Sequence, residues 1–214
     1  MRVPMGATSL QALEHESSDR VSPSTPVATT RERLLTAARD LFQSRGFHAV
    51  GVADILAAAA APKGSLYHHF PGGKDDLGAE AVARIAADVT DYIAVRAAAG
   101  DTGAVIIGQI ADMSARRMEK EAFGWSPLIA AVASQAGADT PRLADAVAQA
   151  YADWQAGLET VFARENLEPA QARDAARLSV MALEGAVVLA RVEQDGAALR
   201  SVAGLVGWFV TTGS

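Results

Sequence analysis

Residues 52–77 read VADILAAAAAPKGSLYHHFPGGKDDL, and the order of residue types in this stretch decides the fold. Apolar side chains at helical spacing predict a short helix from Val52, which ends before Pro62 because proline disfavours α-helical geometry in the residue before it. Proline suits the first turn of a helix, so a second short helix is predicted over residues 62–69. Two short helices joined by a tight turn predict a helix-turn-helix unit.

The helix before this stretch has clear start and stop signals. Thr29 and Glu32 have the spacing of a capping box, which satisfies the first free amides of a helix. Gly46 can take the left-handed conformation that ends a helix, and Phe47 after it can fold back onto the last turn. These signals predict a helix that packs on the helix-turn-helix unit.

The rest of the chain has a helical pattern throughout. Half of its 214 residues are apolar, and alanine, the best helix former, is abundant among them. We therefore predict an all-α protein of about nine helices, with a three-helix head over residues 30–77 and a helical body over residues 78–214. Residues 1–29 are rich in Ser, Thr and Pro, which predicts a disordered tail unless the start codon has been misassigned.

The sequence excludes cysteine chemistry and gives no support to an enzyme active site, a metal site or a membrane span. The chain has no cysteine, which rules out disulfides, thiolate metal sites and cysteine nucleophiles. No Ser-His-Asp set, metal-ligand spacing or nucleotide-binding loop indicates an enzyme, and neither a metal nor another cofactor is predicted. His68 and His69 do not share a helix face, so they do not form a metal site with His48. Because no apolar run reaches membrane-spanning length and residues 1–29 lack a signal-peptide core, a cytoplasmic protein is expected.

The charge distribution gives no independent support to nucleic-acid binding. The net charge is −6, and residues 30–80 carry six Lys/Arg and six Asp/Glu, whereas residues 81–214 carry eleven and sixteen. The head is therefore neutral, and a prediction of DNA binding depends on the sequence motif rather than on charge.

The motif is specific enough to indicate a family. Residues 63–70, KGSLYHHF, with VADI before them (residues 52–55) and GK after them (residues 73–74), closely resemble the TetR family of bacterial transcriptional repressors. The resemblance extends over residues 30–77, and the form PKGSLYHHFPGGK is similar to the LmrA/YxaF subgroup. It implies a helical regulator with a DNA-binding head and a body that binds small molecules.

This chain departs from the family pattern at two positions. Family members usually have glycine in the turn, where this chain has Ala60. They also usually carry Thr or Ser at the start of the first motif helix, where this chain has Gly51, so a common phosphate contact and helix cap are missing. The alternative to a DNA-binding regulator is therefore a ligand-binding helical protein with weak or lost DNA binding.

The side chains of the motif supply the candidates for DNA contact. Lys63 can reach phosphate or a guanine edge, Tyr67 offers its hydroxyl to phosphate, and His68 offers ring nitrogens to base or backbone. Lys74 opens the next helix, where its cation and the free amides together suit a phosphate. Gly64 is small enough to allow close approach to the DNA backbone. The residues predicted to contact DNA are Arg31, Lys63, Gly64, Ser65, Tyr67, His68 and Lys74.

Aromatic and methionine side chains from several predicted helices indicate an effector pocket in the body. TetR-like repressors bind small molecules between such helices, although ordinary core packing is the alternative role for each of these residues. Glu184 has apolar neighbours at helical spacing, so it is costly to bury unless it serves a ligand, a partner subunit or an arginine. We favour a structural pair with Arg177 or Arg191. The predicted ligand-binding set is Met113, Phe123, Trp125, Tyr151, Trp154, Met181 and Glu184.

The last two predicted helices, residues 169–193 and 197–211, carry small and aliphatic side chains that suit a four-helix bundle between two subunits. A homodimer is also what a single helix-turn-helix needs to read a palindromic double-stranded DNA operator. With the resemblance, this predicts a repressor released by a small, largely apolar molecule. The predicted interface residues are Ala182, Gly185, Ala186, Leu189, Val202, Leu205, Val206 and Phe209.

Overall fold

The structure, a computed structural model, describes residues 28–212. Within that range it contains nine α-helices and no strand, so the predicted all-α fold is confirmed. The prediction of a disordered tail over residues 1–29 falls almost entirely outside the described residues. The helices are α1 (Thr30–Arg45), α2 (Val52–Ala58), α3 (Ser65–His69), α4 (Lys74–Ala98), α5 (Gly103–Lys120), α6 (Leu128–Ala133), α7 (Pro141–Phe162), α8 (Pro169–Glu193) and α9 (Ala197–Thr212).

Helix α1 starts and ends at the predicted signals. The Glu32 amide donates to the Thr29 hydroxyl (3.2 Å) and the Thr29 amide donates to the Glu32 carboxylate (2.9 Å), which completes the capping box. The helix ends at Gly46, whose φ of 79° lies in the left-handed region that favours glycine. Phe47 then folds back, with its ring centroid 5.0 Å from that of Phe42, and anchors this end of α1 in the core of the head.

Helix α3 is shorter than predicted, because it starts at Ser65 rather than at Pro62. The Pro62 carbonyl accepts hydrogen bonds from both the Ser65 amide (3.0 Å) and the Ser65 hydroxyl (2.8 Å), and these bonds close a tight turn before the helix. The chain reverses at Ala60, which has a positive φ of 46°. A left-handed conformation costs a residue with a Cβ atom about 1–2 kcal/mol, which explains why glycine is usual at this position in the family.

The body is built on close packing between long helices. Helix α4 packs along α7, where the Trp154 indole donates to the Ala86 carbonyl (3.1 Å). Helix α5 packs on α9, and α8 packs against both α7 and α9. Gly108 allows the α5–α9 approach, since a Cβ atom there would lie 2.6 Å from the Cβ atom of Ala203. Among residues 28–212, no helix has the length and apolarity that crossing a membrane requires.

The head is joined to the body by polar contacts as well as by the continuous helix α4. The Asp75 carboxylate accepts from the Arg142 and Leu143 amides (3.2 and 2.9 Å) and so caps the start of α7. The Gln43 carbonyl in α1 accepts from the Ser126 amide (3.0 Å). The His48 amide donates to the Gln135 side chain (2.8 Å). These contacts tie the position of the head to the packing of the body.

Candidate DNA-binding surface and effector cavity

The outer face of the head is formed by α3 and the turn before it. Leu66 and Phe70 are 1% and 2% exposed and anchor α3 in the head core. Tyr67, by contrast, is 61% exposed, and Lys63, Gly64 and His68 are also exposed. This arrangement leaves a phenol, an ammonium and an imidazole exposed on α3 and the turn before it, together with a glycine that allows close approach.

Arg31 and Ser65 have partners within the chain. The Arg31 guanidinium pairs with the Glu80 carboxylate of α4 and lies 5.2 Å from the centroid of the Phe70 ring. The Ser65 hydroxyl donates to the Pro62 carbonyl, so it helps to form the turn before α3. Both residues therefore stabilise the head, a role that their sequence positions did not indicate.

The Lys74 ammonium has partners inside the chain, and its contact with a phosphate stays a prediction. Its Nζ atom donates to the carbonyls of Phe47 (3.1 Å) and Val50 (3.0 Å) and lies 4.3 Å from the centroid of the Phe47 ring. Burial lowers the pKa of Lys74 from its usual value. The long side chain bends back into the loop between α1 and α2, where buried carbonyls need a donor. Lys74 thus holds this loop to α4.

The missing hydroxyl at Gly51 is compensated in part within the head. The Gly51 amide donates to the Asp54 carboxylate (2.9 Å), which is one half of a capping box at the start of α2. No side chain at Gly51 accepts from the first-turn amides of α2. The start of α2 is therefore formed without a side-chain cap.

The body contains a cavity of 290 Å³ that is bounded by α1, α4, α5, α6, α7 and α8 and by the loop before α6. Most of its wall is apolar, which is usual for a small-molecule site. The side chains that line it are Arg39, Asp40, Gln43, Ile85, Asp88, Val89, Ile110, Met113, Ser114, Arg117, Trp125, Pro127, Leu128, Ile129, Ala130, Trp154, Leu183, Glu184 and Val187.

Four of the seven predicted ligand-binding residues line this cavity, namely Met113, Trp125, Trp154 and Glu184. The other three do not. Met181 is 58% exposed on the outer surface of α8. Phe123 lies in the turn after α5 with a positive φ of 58° and packs on the core from outside. Tyr151 lies behind the wall, in edge-to-face contact with Trp154 (ring centroids 5.9 Å apart).

Sequence reasoning missed the contribution of α1 to the cavity wall. Arg39, Asp40 and Gln43 belong to the predicted head, yet they face the body. Their spacing on one side of α1 was readable, and Gln43 is only 8% exposed. Their partner surface was not readable, because it depends on how α6 and the loop before it fold against α1. The cavity is therefore shared between the head and the body.

Glu184 is the most perturbed group in the wall. Burial raises its pKa to about 7, and the hydroxyl of Tyr151 is the polar group that interacts with its carboxyl. The favoured prediction of a pair with Arg177 or Arg191 is wrong, because neither arginine forms an ion pair with Glu184 and both are exposed. The nearby carboxylate and burial together raise the pKa of Tyr151 above its usual value.

A second surface of the body is apolar and exposed. It lies on α8 and α9, and we call it the α8–α9 face. Trp208, which was not predicted, is 67% exposed, and Val192 is 76% exposed. A contiguous apolar patch of this kind commonly marks a protein–protein contact. Its large side chains are Met181, Val188, Leu189, Val192, Leu205 and Trp208.

Three predicted interface residues need correction. Ala186, Val202 and Val206 are 5%, 1% and 0% exposed, because they pack between α8 and α9 inside one subunit. Apolar residues at helical spacing occur on both the inner and the outer side of these helices, and the pattern alone does not separate the two. Leu189 and Leu205 are half exposed and remain candidates for the interface.

The fold and its two surfaces define a class, that of helical regulators with a helix-turn-helix head on a larger helical body. Residues 34–81 match the family described as bacterial regulatory proteins of the tetR family. Residues 104–204 match the C-terminal domain of the LmrA/YxaF-like transcriptional regulators. The chain belongs to the TetR family of transcriptional regulators, and its relatives are regulators rather than enzymes.

Relatives and solved structures agree with this assignment. An uncharacterized HTH-type regulator of Mycobacterium tuberculosis is 34% identical over 174 residues, which cover 77% of this chain and 86% of that protein. LmrA of Bacillus subtilis is 28% identical over 83% of this chain and 94% of its own length. A TetR regulator from Legionella pneumophila has the same fold, with a TM-score of 0.74 at 19% identity over 86% of this chain and 98% of that chain.

Proposed function

We propose that this protein is a ligand-responsive repressor, which binds a palindromic DNA operator as a homodimer and leaves it when a small, largely apolar molecule occupies the cavity. In this proposal residues 30–77 form the DNA-binding domain and residues 78–214 form the ligand-binding and dimerisation domain. As a DNA-binding regulator it would act in the cytoplasm. The α8–α9 face would join the two subunits and set the spacing of the two heads.

The observation that carries the proposal is the shared wall of the cavity. Arg39 and Gln43 of α1 line the same space as Trp154 and Glu184 of the body. Any movement of α1 relative to the body therefore changes the shape of the cavity. A ligand that fits one shape better than the other shifts the head toward one position, whereas a ligand with equal affinity for both shifts nothing.

The polar contacts between head and body support this coupling. The Gln43 carbonyl bonds the Ser126 amide, and Ser126 immediately follows the cavity residue Trp125. Asp75 at the start of α4 caps α7, the helix that carries Trp154. A ligand that displaces Trp125 would therefore disturb the contact between Gln43 and Ser126. A ligand that displaces Trp154 would disturb the contact between Asp75 and α7.

The proposal is tested first on DNA. The full chain is titrated against the intergenic DNA beside its own gene, with fluorescence anisotropy as the readout and salt concentration as a variable. We expect salt-dependent, sequence-specific binding that Tyr67→Ala weakens about tenfold or more, because the exposed ring lies on the face that would meet the major groove. Equal, sequence-independent binding by both proteins would contradict the proposal and favour a ligand-binding protein without an operator.

The repressor role is tested on the same complex. Compounds that raise the melting temperature of the free protein are added to the operator complex, and we expect them to lower operator affinity. A compound that stabilises the protein and raises operator affinity would instead indicate a regulator that needs its ligand to bind DNA. Arg164→Ala, at an exposed position that does not line the cavity, is the control variant.

A further inference from the structure

The charged groups of the cavity are not balanced. Arg39 is paired with Asp40 (2.9 Å), and Arg117 is paired with Glu121 (3.2 Å), so both arginines that line the wall already have a carboxylate. Asp88 and Glu184 line the same wall and form no ion pair within residues 28–212. The cavity therefore has an excess of acidic groups.

Glu184 is the one of these two carboxyls whose pKa is raised by burial. It is largely buried, its helical neighbours Leu183 and Val187 are apolar, and the Tyr151 hydroxyl is its polar partner. A buried carboxylate is stabilised by an opposite charge at close range, and no residue between 28 and 212 forms an ion pair with this one. The group that completes this site would have to come from a ligand.

The remaining wall also favours a cation. Trp125 and Trp154 line the cavity, and the faces of aromatic rings attract ammonium groups. The Arg117 guanidinium already makes such a contact, 5.7 Å from the centroid of the Trp125 ring. Aliphatic side chains such as Ile85 and Leu128 cover other parts of the wall and would accept the apolar portion of a ligand.

We propose that the effector is a compact organic cation, in which one protonated amine binds Glu184 and Asp88 and an apolar ring or chain fills the space against Trp154. The inference rests on the proposed function, because it names the chemical class of the molecule that occupies the same cavity. The volume of 290 Å³ lies at the small end of the range for ligand sites, which restricts the ligand to about the size of one ring and a short chain.

The charge state of Glu184 gives the proposal a pH signature. The titratable and charged groups around the cavity are Arg39 and Asp40 from α1, Asp88 from α4, Arg117 from α5 and Tyr151 from α7. The pKa of Glu184 is raised to about 7 in the absence of ligand. An amine prefers the ionised carboxylate, so its affinity is expected to rise with pH through neutrality, and binding is expected to release a proton.

The experiment compares three matched probes on the full chain without DNA, namely phenylbutylamine, phenylbutanol and phenylbutanoate. Isothermal titration calorimetry in two buffers of different ionisation enthalpy gives affinity and proton release together. We expect the amine to bind about tenfold more tightly than the alcohol, and the carboxylate to bind more weakly than both. Glu184→Gln should remove most of the preference for the amine and the proton release.

Glu193→Gln is the matched control, because this glutamate lies exposed at the end of the same helix and should leave all three affinities unchanged. The proposal is overturned if the alcohol or the carboxylate binds wild type as tightly as the amine. It is also overturned if the amine does not bind, or if its preference survives in Glu184→Gln.

Failure here is distinct from failure of the proposed function. A protein that binds the operator but prefers the alcohol keeps its role as a repressor and loses only this ligand class. A protein that prefers the amine but never binds operator DNA keeps the ligand class and loses the repressor role.

Discussion

The candidate DNA-binding surface and the candidate effector cavity are built in opposite ways. The surface comes from a single stretch, in which Lys63, Gly64, Tyr67 and His68 lie within six consecutive residues. The cavity takes its wall from six helices and one loop, and its residues are separated by as much as two thirds of the chain. Local sequence therefore determines the first site, whereas packing between distant helices determines the second.

The two regions also differ in how many polar partners their buried charged groups have. Lys74 in the head donates to two carbonyls, at 3.1 and 3.0 Å, so its ammonium group has polar partners within the protein. Glu184 in the body has one hydroxyl as its polar partner and a pKa raised to about 7. A satisfied charge stabilises a fold, whereas an unsatisfied one beside a cavity is available to a ligand.

The largest expected effect concerns the claim that the body, rather than the head, joins the subunits. Leu205→Glu places an unpaired carboxylate on the α8–α9 face, where burial against a second subunit is costly. We expect association weakened about a hundredfold or more, with loss of tight operator binding although the head is unchanged. Analytical ultracentrifugation gives the association state and anisotropy gives operator affinity.

Val95→Glu is the control for this experiment, because Val95 is 61% exposed on α4 and lies outside the α8–α9 face. It should leave the protein dimeric. A Leu205→Glu protein that remains a dimer would show that a surface other than the α8–α9 face joins the subunits.

The second prediction separates structure from DNA contact inside the head. Lys74→Met leaves the Phe47 and Val50 carbonyls without their donor, and we expect it to cost about 2–3 kcal/mol of unfolding free energy. Urea denaturation at fixed protein concentration measures the loss. If stability were unchanged and only operator affinity fell, Lys74 would be a phosphate contact after all.

Lys63→Met is the matched comparison for that variant. Lys63 is exposed and makes no hydrogen bond within the described part of the chain. We expect its stability to change by less than about 0.5 kcal/mol, while operator affinity falls and the salt dependence decreases by about one phosphate contact. A loss of stability in Lys74→Met and a loss of operator affinity in Lys63→Met would show that the first lysine acts in the interior and the second on the DNA-binding surface.

Much of the fold was predictable because its signals are local. The capping box at Thr29 and the glycine at Gly46 set the bounds of α1. Helix α4 starts at Lys74 as predicted, and α8 matches the predicted residues 169–193. The start of α3 was mispredicted, because Ser65 bonds the Pro62 carbonyl in preference to extending the helix.

The sites were less predictable from the sequence. A helical pattern of apolar residues does not show whether a helix face packs against another helix or lies on the surface. Val206 and Leu205 are both aliphatic, but Val206 packs inside the subunit whereas Leu205 is exposed on its surface. Arg39 belongs to the predicted head, yet it lines the cavity together with α6 and the loop before that helix. The aromatic residues of the cavity were found by type, since large rings need a packed environment wherever they lie.

A third prediction tests whether the buried carboxyl of Glu184 makes the stability of the folded protein depend on pH. Its folded pKa of about 7 lies above the ordinary 4.5, so between these pH values the folded protein binds more protons than the unfolded chain, and stability falls as pH rises. Glu184→Gln does not titrate, so it should gain stability relative to wild type from about pH 5 to about pH 8, by roughly 1–3 kcal/mol. Glu193→Gln should show no such trend, and a difference that does not change with pH would contradict the burial of this charge.

The smallest expected effect concerns the turn of the head, where the sequence departs from its family. Ala60 has a φ of 46°, so its Cβ atom is crowded against the backbone, whereas glycine takes this conformation without that cost. Ala60→Gly should stabilise the protein by about 0.5–1 kcal/mol, part of the relief being offset by the greater entropy of glycine in the unfolded chain. Ala57→Gly, in an exposed position of α2, should instead destabilise it by about 0.5–1 kcal/mol. Urea denaturation of both variants distinguishes the cases, and losses of equal size would mean that the turn holds no strain for glycine to relieve.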